Sequence, residues 1–165
     1  MTSVTDHPLR RPEEILAYRP LQQILGGLPK PVFGVAPADT VYDAVRIMEG
    51  KDIGFLVVLQ GDELVGVLSE RDCARGVMLA RRLADATPVA DVMVRDVITV
   101  GTNSTFAECL RLMHQRGIRH LPVVENRKVL AVISVRDLMS EAVAHHAKII
   151  AQLERERMTI FTSPV

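Results

Sequence analysis

The segment Val35 to Asp72 recurs as Val100 to Asp137, without a gap, when 65 is added to each number. Eleven of the 38 aligned positions are identical: Val35/Val100, Thr40/Thr105, Arg46/Arg111, Met48/Met113, Ile53/Ile118, Leu56/Leu121, Val58/Val123, Val67/Val132, Ser69/Ser134, Arg71/Arg136 and Asp72/Asp137. Such self-similarity restricts the chain to an architecture in which two like units stack and bury a shared core. With 165 residues and 48% hydrophobic composition, the chain is long enough for one compact, pseudo-symmetric domain. Most of the repeated pairs are apolar and report the fold. The block ends differently, in two near-copies of a polar phrase: Ser69-Glu70-Arg71-Asp72 and Ser134-Val135-Arg136-Asp137.

Each copy reads as the same order of elements. A short apolar strand (Val32 to Val35; Val97 to Val100) precedes a helix with apolar residues at helical spacing: Val41, Ala44, Val45, Met48 and Phe106, Cys109, Leu110, Met113. Thr40-x-x-Asp43 and Thr105-x-x-Glu108 supply start signals, because a hydroxyl and a carboxylate at that spacing satisfy first-turn N–H groups. Two apolar runs follow, Ile53 to Leu59 with Leu64 to Leu68 and Ile118 to Val124 with Val129 to Ile133, each pair separated by four polar residues. That spacing predicts an antiparallel hairpin. A second helix starts at the polar phrase, so the fold class is α/β (α+β), a pseudo-twofold tandem of two β-α-β-β-α units.

The flanks follow from the same comparison. Pro20 to Leu28 matches Pro88 to Met93, which predicts a short helical lead-in to each unit. The expected organisation is an N-terminal extension (1–20), a first repeat (21–83), a linker (84–88), a second repeat (89–144) and a C-terminal helix and tail (145–165). From Leu138 onward an imperfect apolar stripe (Ala142, Val143, Ile149, Ile150, Leu153) extends the last helix to about Met158, to pack on its own domain or on a second copy.

Composition excludes several function classes. Lysine plus arginine equals aspartate plus glutamate at 20 each, so no net field draws the chain to nucleic acid or anionic lipid. No apolar run resembles a signal peptide or a membrane span, and a cytoplasmic location is the expectation. Cys73 and Cys109 lie inside apolar-periodic segments without metal-ligand spacing and read as buried packing thiols.

Catalytic motifs fail on inspection. Gly61 and Gly66 have phosphate-loop spacing, but Val67 and Leu68 stand where lysine and a hydroxyl residue are required. Adjacent His145 and His146 lie about 100° apart on a helix and cannot aim at one metal. His114 is read as solvent-facing. No serine or cysteine has a nucleophile context, and the chain is expected not to be an enzyme and to need no catalytic cofactor or metal.

The polar phrase stands where an apolar strand ends and a helix begins. A serine hydroxyl can donate to a phosphate oxygen, a guanidinium can hold one through two parallel bonds, and a carboxylate can accept both hydrogens of a ribose diol. Ser-x-x-Asp is equally a capping box that needs no ligand, and both readings stay open on the residues alone. Capping leaves the arginine of both copies unexplained.

The repeated units, the phrases Gly66-Val67-Leu68-Ser69-Glu70-Arg71-Asp72 and Ala131-Val132-Ile133-Ser134-Val135-Arg136-Asp137, and Gly117-Ile118-Arg119-His120-Leu121-Pro122-Val123-Val124 together resemble a tandem cystathionine-β-synthase (CBS) domain pair, or Bateman module. The resemblance covers roughly Leu21 to Ala144. It implies two clefts between the repeats that bind adenosine-containing ligands such as AMP, ADP, ATP, NAD or NADH, and S-adenosylmethionine, in a stand-alone regulator that senses energy or redox state. It also implies a homodimer, with a downstream protein partner possible and no nucleic-acid or membrane partner.

Carried over by position, the ribose carboxylates are Asp72 and Asp137 and the phosphate-side hydroxyls Ser69 and Ser134, with Arg71 and Arg136 beside them. The adenine walls are Val32, Phe33, Gly54, Phe55 and Leu56 in the first copy, and Ile98, Thr99, Arg119, His120, Leu121 and Pro122 in the second. The copies depart from each other at Gly54-Phe55 against Arg119-His120, and Ala131 stands where such proteins often have glycine. The expectation is therefore two clefts of unequal charge, with Arg119, His120 and Arg136 gathering phosphate at Asp137. The competing expectation is a ligand-independent dimerisation or interaction scaffold.

Overall fold

The computed structural model describes residues 16–26 and 30–162; the expected extension before residue 16, the end of the first lead-in at 27–29 and the tail after residue 162 lie outside them. After a 3₁₀ turn (Leu16–Tyr18), the elements run α1 (Leu21–Ile24), β1 (Gly34–Val35), α2 (Val41–Lys51), β2 (Phe55–Gln60), β3 (Glu63–Ser69) and α3 (Glu70–Cys73). The last continues as a π-helix over Ala74–Leu79. A 3₁₀ turn (Val89–Asp91) leads to α4 (Phe106–Arg116), β4 (His120–Glu125), β5 (Lys128–Ser134) and the 28-residue α5 (Val135–Thr162).

The copies agree down to register. β2 and β3 pair antiparallel from Phe55↔Ser69 to Gln60↔Glu63, and β4 and β5 pair from His120↔Ser134 to Glu125↔Lys128. Both hairpins shift register at the equivalent step, Val58/Leu59 and Val123/Val124. The expected four-residue turns are two-residue loops, because Gln60/Glu63 and Glu125/Lys128 are themselves paired. Asn126 and Arg127 close the second loop with φ of 49° and 64°, as the twist of a two-residue hairpin requires. The expected first strands shrink. Gly34 and Val35 run parallel to Val57 and Val58, whereas in the second copy Val100↔Val123 is a single bridge.

Helix starts follow the sequence signals. Thr105 and Glu108 form a complete capping box, with Thr105 N–H donating to Glu108 Oε2 at 2.8 Å and Glu108 N–H to Thr105 Oγ1 at 3.3 Å. Thr40 accepts from Asp43 N–H at 3.1 Å, but the shorter aspartate is bonded to the Thr40 hydroxyl rather than to its backbone. Gly117 ends α4 at φ 63°; at the equivalent end of α2, Asp52 adopts φ 53°.

The lead-ins exchange owners. Leu16, Leu21, Ile24 and Leu25, which precede the first repeat, are buried with Phe106, Cys109, Met113, Leu121, Ile133 and Leu138 of the second. Val89 and Met93, which precede the second, are buried with Val41, Met48, Leu56, Leu68 and Val77 of the first. Equivalent backbone bonds fasten the exchange: Leu21 N–H to Ser104 O at 2.9 Å and Val89 N–H to Asp39 O at 2.8 Å. Each repeat thus completes its core with a segment that the chain delivers from before the other, and removing any one large buried side chain costs about 2–5 kcal/mol. Burial pushes the Cys73 and Cys109 thiols up to about 11, which leaves both uncharged packing groups at neutral pH.

The last helix divides as its sequence pattern suggests. Leu138 is fully buried and Ala142 packs beside it, while Val143, Ile150 and Leu153 are exposed. Among the described residues no helix is long and apolar enough to cross a membrane.

Candidate functional site

Both polar phrases form complete capping boxes. Ser69 N–H donates to Asp72 Oδ2 at 2.9 Å and Asp72 N–H to Ser69 Oγ at 3.3 Å; Ser134 N–H donates to Asp137 Oδ2 at 2.7 Å and Asp137 N–H to Ser134 Oγ at 3.2 Å. The serine hydroxyls also donate to the same Oδ2 atoms. Capping therefore occupies one oxygen of each carboxylate. The second oxygen, Oδ1, takes no protein hydrogen bond among the described residues, and an ionised carboxylate has acceptor capacity to spare.

A further bond sets each phrase against its own hairpin. Glu70 N–H donates to Gly54 O at 3.2 Å, and Val135 N–H to Arg119 O at 3.0 Å. Each helix start is thus tied to the residue that enters β2 or β4, which places Ser69 and Ser134 at the ends of β3 and β5 beside Phe55 and His120. Those two rings occupy equivalent positions and stack across the pseudo-twofold, with centroids 4.7 Å apart and planes 16° from parallel. Burial holds the His120 imidazole below its ordinary range, and the Asp137 carboxylate opposes that shift without reversing it.

Two clefts open on either side of this stack. One, of about 410 Å³, is lined by Ser69, Arg71, Asp72 and Arg75 of the first repeat with Asp96, Ile98, Arg116, Arg119, His120 and Pro122. The other, of about 930 Å³, is lined by Phe33, Glu49, Asp52, Gly54 and Phe55 of the first repeat with Arg119, His120, Ser134, Arg136 and Asp137. Gly54, Phe55, Glu70, Arg119 and His120 face both. Gly54 leaves room for Glu70, since a Cβ there would stand 2.8 Å from Glu70 Oε2.

This arrangement corrects the sequence expectation in three ways. The walls cross between copies: Asp72 shares its cleft with Ile98 of the second repeat, and Asp137 shares its cleft with Phe33 of the first. Leu56 and Leu121 have no exposed surface and belong to the cores, because β2 and β4 are covered on both faces; Val32 and Thr99 line neither cleft. The charge is also reversed from expectation. Arg119 and His120 serve both clefts, so they do not enrich the Asp137 side, where two arginines face Glu49, Asp52, Glu70 and Asp137. The Asp72 side has four arginines against Glu70, Asp72 and Asp96.

Sequence reasoning passed over Arg75, Arg116, Glu49, Asp52 and Asp96. Arg75 had a readable signal, four residues after Arg71 and so on the same helical face. The others are brought in from the opposite repeat and had none. Among the described residues, no three histidine, cysteine or acidic side chains are grouped to hold a metal ion.

Comparison with known proteins bears on the family and the fold. The CBS domain family model matches residues 28–79 and 89–144. A solved structure of a protein with CBS domains from Burkholderia ambifaria is 38% identical and superposes with a TM-score of 0.71, covering 76% of this chain and 94% of that one. The mitochondrial CBS domain-containing protein CBSX3 of Arabidopsis thaliana is 32% identical over 120 residues, which are 70% of this chain; the chain spans 58% of that relative's length. The CBS domain pair of protein MJ0100, solved in complex with 5′-methylthioadenosine and S-adenosyl-L-methionine, superposes with a TM-score of 0.64 over 73% of this chain and, at 23% identity, shares the fold.

Proposed function

This chain belongs to the CBS domain family, carrying two such domains in tandem, and from that premise we propose that it is a non-catalytic regulatory module whose two clefts bind adenosine-containing ligands. One observation carries the reading: each capping aspartate lines a cleft between the repeats and commits one oxygen to its helix, while its other oxygen takes no hydrogen bond among the described residues. A ribose diol is a matching donor, and Phe55 and His120 offer apolar ring surface to a base on both sides of the stack. The adenosyl ligands held by the MJ0100 pair support the same class. Binding in a cleft walled by both repeats changes how the repeats sit together, which is the signal a partner or second copy would read. Exposed Met78 and Val143, at equivalent positions of the two helices after the polar phrases, provide apolar surface for such a second copy.

A ligand-independent scaffold is the alternative, favoured by the completeness of both capping boxes without any ligand. Titration calorimetry with AMP, ATP, NAD, NADH and S-adenosylmethionine separates the two. The proposal expects saturable binding, with Asp72→Ala and Asp137→Ala each weakening one site roughly tenfold or more, the equivalent of a lost charge-assisted contact of about 1.5–3 kcal/mol. Affinities unchanged in both variants would remove the assignment.

A further inference from the structure

The repeat supplies an internal control for what each cleft is built to hold, because position n of the first copy and position n + 65 of the second face equivalent places. At three such pairs the substitution places positive charge on the Asp72 cleft or negative charge on the Asp137 cleft, against one, Asp96 in place of Pro31, that adds a carboxylate on the Asp72 side. Arg75 lines the Asp72 cleft where Ser140 is its equivalent, and Gly117 stands in place of Asp52, whereas Arg119, in place of Gly54, faces both clefts. Arg116 lines the Asp72 cleft, whereas its equivalent, Lys51, sets its ammonium over the Phe33 ring at 5.4 Å.

The four arginines at Asp72 are also uncommitted. None of Arg71, Arg75, Arg116 and Arg119 makes an ion pair or side-chain hydrogen bond among the described residues, and the same holds for Arg136 at the other cleft, so the two clefts differ in the number of free guanidinium groups. They approach from two sides of a cleft of about 410 Å³, Arg71 and Arg75 from the first repeat, Arg116 and Arg119 from the second. Guanidinium groups so disposed match the several oxygens of a phosphate chain and exceed what one phosphate can engage. Four carboxylates at Asp137 repel the same chain.

Resting on the reading of both clefts as adenosine sites, we infer that they sort ligands by phosphate charge: the Asp72 cleft takes a nucleoside di- or triphosphate, and the Asp137 cleft an adenosine-containing ligand with at most one phosphate. The ribose acceptor makes the nucleotide, rather than free polyphosphate, the occupant at Asp72.

Calorimetry with ATP, AMP and inorganic triphosphate on the wild type, Asp72→Ala, Asp137→Ala and the double variant Arg75→Gln/Arg116→Gln tests this. The expected result is an ATP site at least tenfold tighter for ATP than for AMP, lost in Asp72→Ala and kept in Asp137→Ala. In the arginine variant its ATP affinity falls tenfold or more, while AMP binding at the other site stays unchanged. Both arginines are exposed, so thermal melting of that variant should match the wild type and exclude misfolding. Equal ATP and AMP affinities at the Asp72 site, or an ATP preference that disappears in Asp137→Ala, would overturn the sorting and leave the adenosine reading standing. Inorganic triphosphate binding as tightly as ATP would overturn the nucleotide assignment. No binding of AMP or ATP in any protein would remove both the sorting and the reading beneath it.

Discussion

Around Asp72 the cleft walls carry four arginines and three carboxylates; around Asp137 they carry two arginines and four carboxylates. Both are built from the same repeated phrase, with the same capping bonds at nearly the same lengths. The difference lies in residues the repeat leaves variable: the duplicated fold keeps its backbone chemistry while its two sites diverge at exposed side chains such as Arg75, Arg116, Glu49 and Asp52. Asp52 and Gly117 illustrate the freedom: both end a helix in the left-handed conformation, yet one adds a carboxylate to a cleft and the other adds nothing.

The largest break in the equivalence lies behind the polar phrases. Gly76 sits in the π-helix so close to Val92 that a Cβ would fall 1.6 Å from Val92 Cγ1, whereas its counterpart is Glu141, paired with Arg19 at 3.4 Å. Gly76→Ala should therefore cost about 3 kcal/mol by overpacking, and Glu141→Ala about 1 kcal/mol or less. Chemical denaturation of the two variants measures the gap, and equal costs would mean that the exchanged lead-in does not pack tightly on the first repeat.

A smaller effect separates the helix ends. Asp52→Gly should raise stability by about 0.5 kcal/mol, because glycine adopts φ 53° without the strain that a side chain meets there. Gly117→Asp should lower it by about 1 kcal/mol at φ 63°. Opposite signs in denaturant midpoints are the check.

The smallest effect concerns the ring stack at the pseudo-twofold. Burial disfavours the charged form of His120, so below its ordinary value of 6.5 the unfolded chain takes up a proton that the folded chain resists. That difference lowers stability as pH falls and vanishes as pH rises above 6.5. His120→Phe keeps a ring against Phe55 and removes the titration, so its melting temperature should fall less than the wild type's between about pH 7.5 and about pH 5.5. An unchanged slope would place the acid sensitivity elsewhere.

Much of this was legible in the chain itself. The offset of 65, the capping phrases, the hairpins and the helical stripes are local patterns, and local patterns are set by backbone sterics and by burial at a fixed spacing. They located Ser69, Asp72, Ser134 and Asp137, and they paired Phe55 with His120 by position. They said nothing of which wall faces which. The lead-ins crossed to the opposite repeats because each half, alone, leaves an apolar face that the other half's preceding segment is placed to cover. In the folded chain Ile98 faces Asp72 and Phe33 faces Asp137, and Arg75 and Arg116 reach the same cleft from different copies. Two equivalent helix starts, each with a hydroxyl, a guanidinium and a carboxylate, follow from the order of residues alone. The charge around each of them emerges on folding, because it is summed over side chains distant in the chain, and no periodicity along a strand or helix encodes which distant segments will meet.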